Sequence, residues 1–143
     1  MPQMIFVNLP VADVARATAF YEAIGCTKDA RFSNEVASAM QLSDEIVFML
    51  LSHDFFKGFT PKPIADAHAT SEVLLCISRD SREAVDAIMA KAAAAGGRID
   101  IREKQDMGFM YGRSFEDPDG HIFEPMYMDV DAAMVAMDHT ADA

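Results

Sequence analysis

The sequence predicts an α+β fold of two βαβββ modules, whose strands make a curled, mixed sheet with the helices outside. Three observations lead there. Runs rich in β-branched and aromatic residues and runs with helical spacing follow one another in the same order twice. Residues 7–11 correspond to residues 73–77, an offset of 66. Each of these runs is followed by a polar cap, an apolar helical stripe and a terminal glycine. A repeat this long, present only twice, is neither a solenoid unit nor an array. Two such modules side by side give a concave face of the kind small ligands occupy.

Module one covers about residues 4–52. Residues 5–11 alternate as a strand, with Pro10 near its exit. Asp13 reads as an N-cap, and Val14, Ala17, Phe20, Tyr21 and Ile24 recur at helical spacing until Gly25. Residues 30–32 read as a short strand, and residues 36–42 and 46–51 as longer ones joined through Ser43, Asp44 and Glu45. A connector of about residues 53–71 follows, with Phe55, Phe56, Phe59, Pro61 and Pro63. A connector of that length is commonly functional; its aromatic side chains can cover a pocket, meet a partner subunit, or tack the crossover onto the core.

Module two covers about residues 72–128. Residues 72–78 read as a strand, Asp80 or Ser81 as a cap, and Ala84, Val85, Ile88, Met89 and Ala92 as the buried helical stripe before Gly96 and Gly97. Residues 98–102 and 109–115 read as strands. The segment 117–120, Asp-Pro-Asp-Gly, is a strong turn signal ahead of the final strand at 122–128. The two modules make one domain over 4–128, and the tail, 129–143, begins as a short helix capped by Asp129 or Asp131, then frays.

Composition narrows the function. The chain has 143 residues, 51% hydrophobic and 24% charged, in the range of a soluble globular domain. Twelve Lys and Arg face 23 Asp and Glu, a net charge of −11, which argues against nucleic acid and anionic membrane as partners. No apolar run reaches the ~20 residues of a membrane helix, and no leader segment is recognisable, so a cytoplasmic location is expected. Cys26 and Cys76 have no CxxC context and read as reduced core thiols.

Two stretches carry a resemblance. LPVADVARATAFYEAIG (9–25) and GRSFEDPDGHIFE (112–124) resemble the opening and closing motifs of the vicinal-oxygen-chelate superfamily, which holds glyoxalases, bleomycin-resistance proteins and extradiol dioxygenases. The resemblance spans about residues 4–128. It implies a metal site with one His, Glu or Gln ligand from each of four strands. Carried over position by position, Glu124 stands at the closing-strand ligand position and Glu72 at the one opening module two. The other two positions hold Phe6 and Met49, neither of which is a ligand for Zn²⁺, Ni²⁺, Mn²⁺ or Fe²⁺. The cofactor expectation is therefore no metal, or an incompletely coordinated divalent ion.

Period-two alternation assigns Asn8 to the face of Phe6, Leu74 to that of Glu72, and Met126 to that of Glu124. With Met49 these make a mainly apolar ligand face with a few polar points. Tyr111 and Arg113 share a face of the penultimate strand: turned inward they orient a substrate, turned outward they are surface groups. Two functions remain. One is a lyase- or isomerase-type enzyme on a small molecule, with Glu124 as ligand or base and Tyr111 and Arg113 assisting. The other is a metal-free protein that sequesters a small ligand, as in the bleomycin-resistance branch. The resemblance also implies a homodimer.

Overall fold

The computed structural model describes residues 2–141, and the side chains of 2–138 among them. The tail residues 142–143 and the side chain of His139 lie outside the described part. The architecture is mixed α+β with two modules. Module one is β1 (Ile5–Val11), α1 (Val14–Ala23), β2 (Thr27–Lys28), β3 (Ala37–Gln41) and β4 (Ile46–Ser52). Its sheet runs β1-β4-β3-β2, with β1 parallel to β4 and the rest antiparallel. After α2 (His53–Phe56) and a 3₁₀ turn, Lys57–Phe59, the connector carries no further helix or strand.

Module two is β5 (Leu75–Ser78), α3 (Arg82–Ala94), β6 (Arg98–Ile99), β7 (Gln105–Asp106), β8 (Met110–Gly112), β9 (Phe115–Glu116) and β10 (Ile122–Met128). Its sheet runs β6-β9-β10-β8-β7, and β5 adds to β10 in parallel. The parallel β1–β4 and β5–β10 pairs are the same relation made twice, which is how the internal repeat appears in three dimensions. Helix α4 (Val130–Ala141) is the last element of the described residues.

Local chemistry sets the helix ends. Asp13 accepts a bond from the Arg16 amide at 3.0 Å and starts α1. Ser81 accepts one from the Ala84 amide at 3.0 Å and starts α3. Gly96 takes the left-handed conformation (φ +95°), while Gly97 is needed for close packing: a Cβ there would lie 2.7 Å from the Glu116 carbonyl and 2.8 Å from the Phe20 ring.

The modules share one core. Leu9 and Val11 of β1, Phe20 and Tyr21 of α1, Phe48 and Leu50 of β4, Ile88 and Met89 of α3, Phe115 of β9 and Phe123 of β10 are all buried in one cluster. Phe48 and Phe123, on the fourth strand of module one and the last strand of module two, meet edge to face at 5.2 Å, and Phe115 stacks on Phe123 at 5.2 Å.

Several expected boundaries move. Residues 30–32 form a 3₁₀ turn, Ala30–Phe32, because Asp29 caps the Arg31 amide, and the strand falls earlier, at β2. Residues 72–74 do not join β5. The expected strand at 98–102 stops at Ile99, where Asp100 adopts φ +52°. The strand at 109–115 is split between β8 and β9, and β7 was not foreseen. Cys26 is buried as expected, but Cys76 is exposed, because it points to the face of β5 opposite the core residue Ile77. The tail does not fray early: Asp129 caps α4, bonding the Ala132 amide at 3.1 Å, and the helix runs to Ala141.

Candidate functional site

Register fixes which side chains share a surface. In module one Val7, Leu9 and Val11 turn to the core with Phe48 and Leu50, so Phe6, Asn8 and Met49 turn the other way. Phe6 is 57% exposed there. In module two Phe123 and Pro125 are buried, and Ile122, Glu124 and Met126 occupy the opposite face of β10. Glu124 pairs across the sheet with Cys76, and Met126 with Ser78 and Gly112.

Where the open face of β1, the approach to β5 and the start of β10 meet under the connector, there is a cavity of about 290 Å³. Asn8 and Pro10 of β1 line it, with Glu72, Val73 and Leu75, and with His121 and Ile122. Phe56, Lys62 and Ile64 come from the connector. Its lining is thus apolar with a few polar points, among them one acid (Glu72) and two basic side chains (Lys62 and His121). A second cavity of about 310 Å³ lies beyond Pro10 and His121, lined by Arg16, His53, Asp66, His68 and Asp119.

Of the residues singled out in the sequence, Asn8 and Glu72 line the first cavity. Leu74 is exposed between two residues that do. Phe6, Met49, Met126 and Glu124 lie on the non-core sheet faces without lining it. Glu72 is not beside Glu124. It lies four residues ahead of Cys76, roughly 13 Å along an extended chain.

Glu124 has a partner the sequence did not suggest. The Arg102 guanidinium, on the irregular segment after β6, bonds its carboxylate at 2.8 Å. Apart from that bond, among the described residues Arg102 is held through its backbone amide, which donates to the Ser114 hydroxyl at 3.2 Å. Burial first, and then the Glu124 charge, hold the Cys76 thiol above its ordinary pKa, so it stays protonated beside the carboxylate.

Tyr111 and Arg113 turn the other way. Tyr111 pairs with Tyr127 on the helix side of β10, and its hydroxyl donates to Asp86 of α3 at 2.7 Å. Arg113 donates to Asp86 at 2.9 Å and, as a fork, to Asp100 at 2.8 and 3.1 Å. Arg82 lies over the Tyr111 ring at 5.0 Å and forks onto Asp106 at 2.8 and 3.0 Å. This network fastens α3 to its sheet on the side away from Glu124. The bond from Tyr111, and then Arg113, hold Asp86 below the usual carboxylate range, and Arg113 does the same for Asp100.

The fit to a divalent ion is poor. Phe6 and Met49 offer no oxygen or imidazole, and Glu124 is engaged with Arg102. Among the described residues no group of three or more His, Cys, Asp and Glu is arranged to hold a metal ion. His121, which the sequence placed only in a turn, instead holds the modules together: its Nε2 lies 2.8 Å from the Pro10 carbonyl between the two cavities. Its place directly after Asp-Pro-Asp-Gly was the signal available for it.

Comparison with solved structures gives the same architecture repeatedly. The hypothetical protein SA1046 from S. aureus superposes with a TM-score of 0.74 at 24% identity, over 89% of this chain and 94% of that one. A glyoxalase-related enzyme from Fulvimarina pelagi gives 0.73 at 20% identity, over 89% and 88%. A glyoxalase/bleomycin resistance protein/dioxygenase family enzyme from Burkholderia phytofirmans PsJN gives 0.72 at 19% identity, over 89% and 99%. At such identities the likeness is one of fold. A search of curated proteins returns no match. The family model for the Glyoxalase/Bleomycin resistance protein/Dioxygenase superfamily matches residues 3–124, and the chain belongs to that superfamily.

Proposed function

We propose that this protein is a metal-independent member of the superfamily that binds a small organic molecule. The observation that carries this reading is the substitution of Phe6 and Met49 at two of the four ligand positions, with Glu124, at a third, already bonded to Arg102 at 2.8 Å. A lyase- or isomerase-type reaction that depends on a bound divalent ion lacks its donors here. The 290 Å³ cavity between the modules, apolar with Asn8, Glu72, Lys62 and His121 as polar points, is in keeping with a ligand-binding role.

The reading includes a homodimer. β1 and β5 are edge strands, and Ile5, Phe6, Val73 and Leu74 on or beside them are more than half exposed. Unpaired edges flanked by large apolar side chains favour association, and a second copy supplies matching edges. Light scattering should then give twice the chain mass.

The test of metal independence is metal content by plasma mass spectrometry, with thermal melts in Ni²⁺, Zn²⁺, Mn²⁺ and Fe²⁺, for the wild type and Glu124→Gln. The expected result is well under one metal per chain and no shift in melting. About one metal per chain, with a stabilisation that Glu124→Gln removes, would overturn the reading.

A further inference from the structure

We infer that Arg102 is a built-in stand-in for a cationic ligand group, and that a ligand bearing an amidinium, guanidinium or ammonium displaces it from Glu124. The inference deepens the metal-independent binding reading and rests on it: Glu124 itself does not line the 290 Å³ cavity, but Ile122, two residues before it on the same face of β10, does, so the exchange lies beside the cavity rather than within it. The two partners of the pair differ sharply in how firmly they are held. The Glu124 side chain is 17% exposed on the central strand of its sheet, flanked on its face by Ile122, Met126 and the protonated Cys76 thiol. The Arg102 side chain is 60% exposed and comes from a segment outside any strand.

A mostly buried carboxylate fixed by a sheet needs a positive partner, because burial without one is costly. An exposed arginine loses little when it returns to water, since exposed pairs contribute only about 0–1 kcal/mol. Glu124 forms no other ion pair or side-chain hydrogen bond among the described residues. The exchange therefore removes the arginine and retains the carboxylate, which selects a cation. An anionic ligand would need the reverse: it would bind Arg102 and strand Glu124. The net charge of −11 also favours the approach of a cation over that of an anion.

The test uses benzamidine, with benzamide and benzoate as the neutral and anionic shapes of the same ring, titrated by calorimetry and by NMR of the arginine Nε–H signals. Arg102→Met removes the guanidinium while keeping an apolar stem. Benzamidine is expected to bind the wild type and shift the one Nε–H signal that Arg102→Met lacks. It should bind Arg102→Met roughly two- to fivefold more tightly, the range released by an exposed pair, and Glu124→Gln at least tenfold more weakly. Circular dichroism of each variant checks that it is folded. No benzamidine binding, equal affinity for wild type and Arg102→Met, or benzoate binding that Arg102→Met abolishes would each overturn the inference. Metal content measured on the same samples keeps the two readings apart: metal bound at Glu124 would defeat metal independence, whereas metal-free protein that ignores benzamidine defeats only the role of Arg102.

Discussion

The Tyr21 hydroxyl donates to the Asp117 carboxylate at 2.7 Å, in a fully buried bond that joins the helix of module one to the closing turn of module two. The same turn makes further links to module one and the connector, among them an Arg16–Asp119 ion pair at 3.5 Å. Asp119 accepts from the Ala12 amide at 2.8 Å, His121 meets the Pro10 carbonyl, and the backbone of Ala67 and His68 rests against Gly120. The Asp-Pro-Asp-Gly segment is thus both a hairpin turn and the latch between modules.

Tyr21→Phe should weaken that latch. Among the described residues it leaves the buried Asp117 carboxylate with the amides of Asp119 and His121 as donors. Loss of a donor to a buried carboxylate costs on the order of 1–3 kcal/mol. Urea unfolding should show this as a lower midpoint with an unchanged slope. A loss below about 0.5 kcal/mol would mean that the two amides alone satisfy Asp117.

Gly120→Ala should release the connector. Gly120 has φ +91°, and a Cβ there would lie 2.8 Å from the Ala67 carbonyl carbon and the His68 nitrogen. A left-handed alanine costs roughly 1–2 kcal/mol before any clash, so a total loss of at least 2 kcal/mol is expected. Limited proteolysis should cut within residues 53–71 faster than in the wild type. Unchanged cutting would show that the connector does not depend on this contact.

Much of this was readable in the sequence, and the failures share a cause. The two caps, the apolar stripes of α1 and α3, the final strand β10 and the module repeat follow from short-range patterns that local chemistry enforces. The orientation of Tyr111 and Arg113 could not be read, because alternation says which residues share a face but not which face meets the helix. Their partners Asp86 and Asp100 lie 13 to 27 residues away. Arg102 was missed for the same reason: it reaches Glu124 across 22 residues, from a stretch that reads as strand until Asp100 turns the chain. The separation of Glu72 from Glu124 depends on the β5–β10 register, which only the folded pair defines.

Arg113→Met should destabilise the fold and flatten its acid limb. The Arg113 side chain is 13% exposed and bonds two carboxylates, so its loss is expected to cost about 2 kcal/mol at neutral pH. Asp86 and Asp100 have folded pKa values below their ordinary ones, so the folded state holds fewer of these protons than the unfolded chain near pH 4. Their contribution is therefore present above the ordinary carboxylate pKa and disappears as pH falls through the lowered values. Wild-type stability should decline on acidification below about pH 4 more steeply than that of Arg113→Met. Parallel curves would remove Arg113 as the cause of the lowered values.

The two thiols should behave differently, and Cys76 alone should report on Glu124. Cys26 is buried and its thiol is pushed up to about 12, so native protein should lose no reactivity when Cys26 is replaced by serine. Cys76 is exposed, and its raised pKa owes part of its shift to the Glu124 charge. Iodoacetamide should therefore add once to the native chain, at Cys76, and twice only in denaturant. Glu124→Gln removes the neighbouring charge, so the alkylation of Cys76 should speed up at pH 8 and its pH profile should move to lower pH. Because thiolate is the reacting species, a simple opening of the structure would instead expose Cys26 as well, which peptide mapping detects. An unshifted profile in Glu124→Gln would show that burial alone sets Cys76.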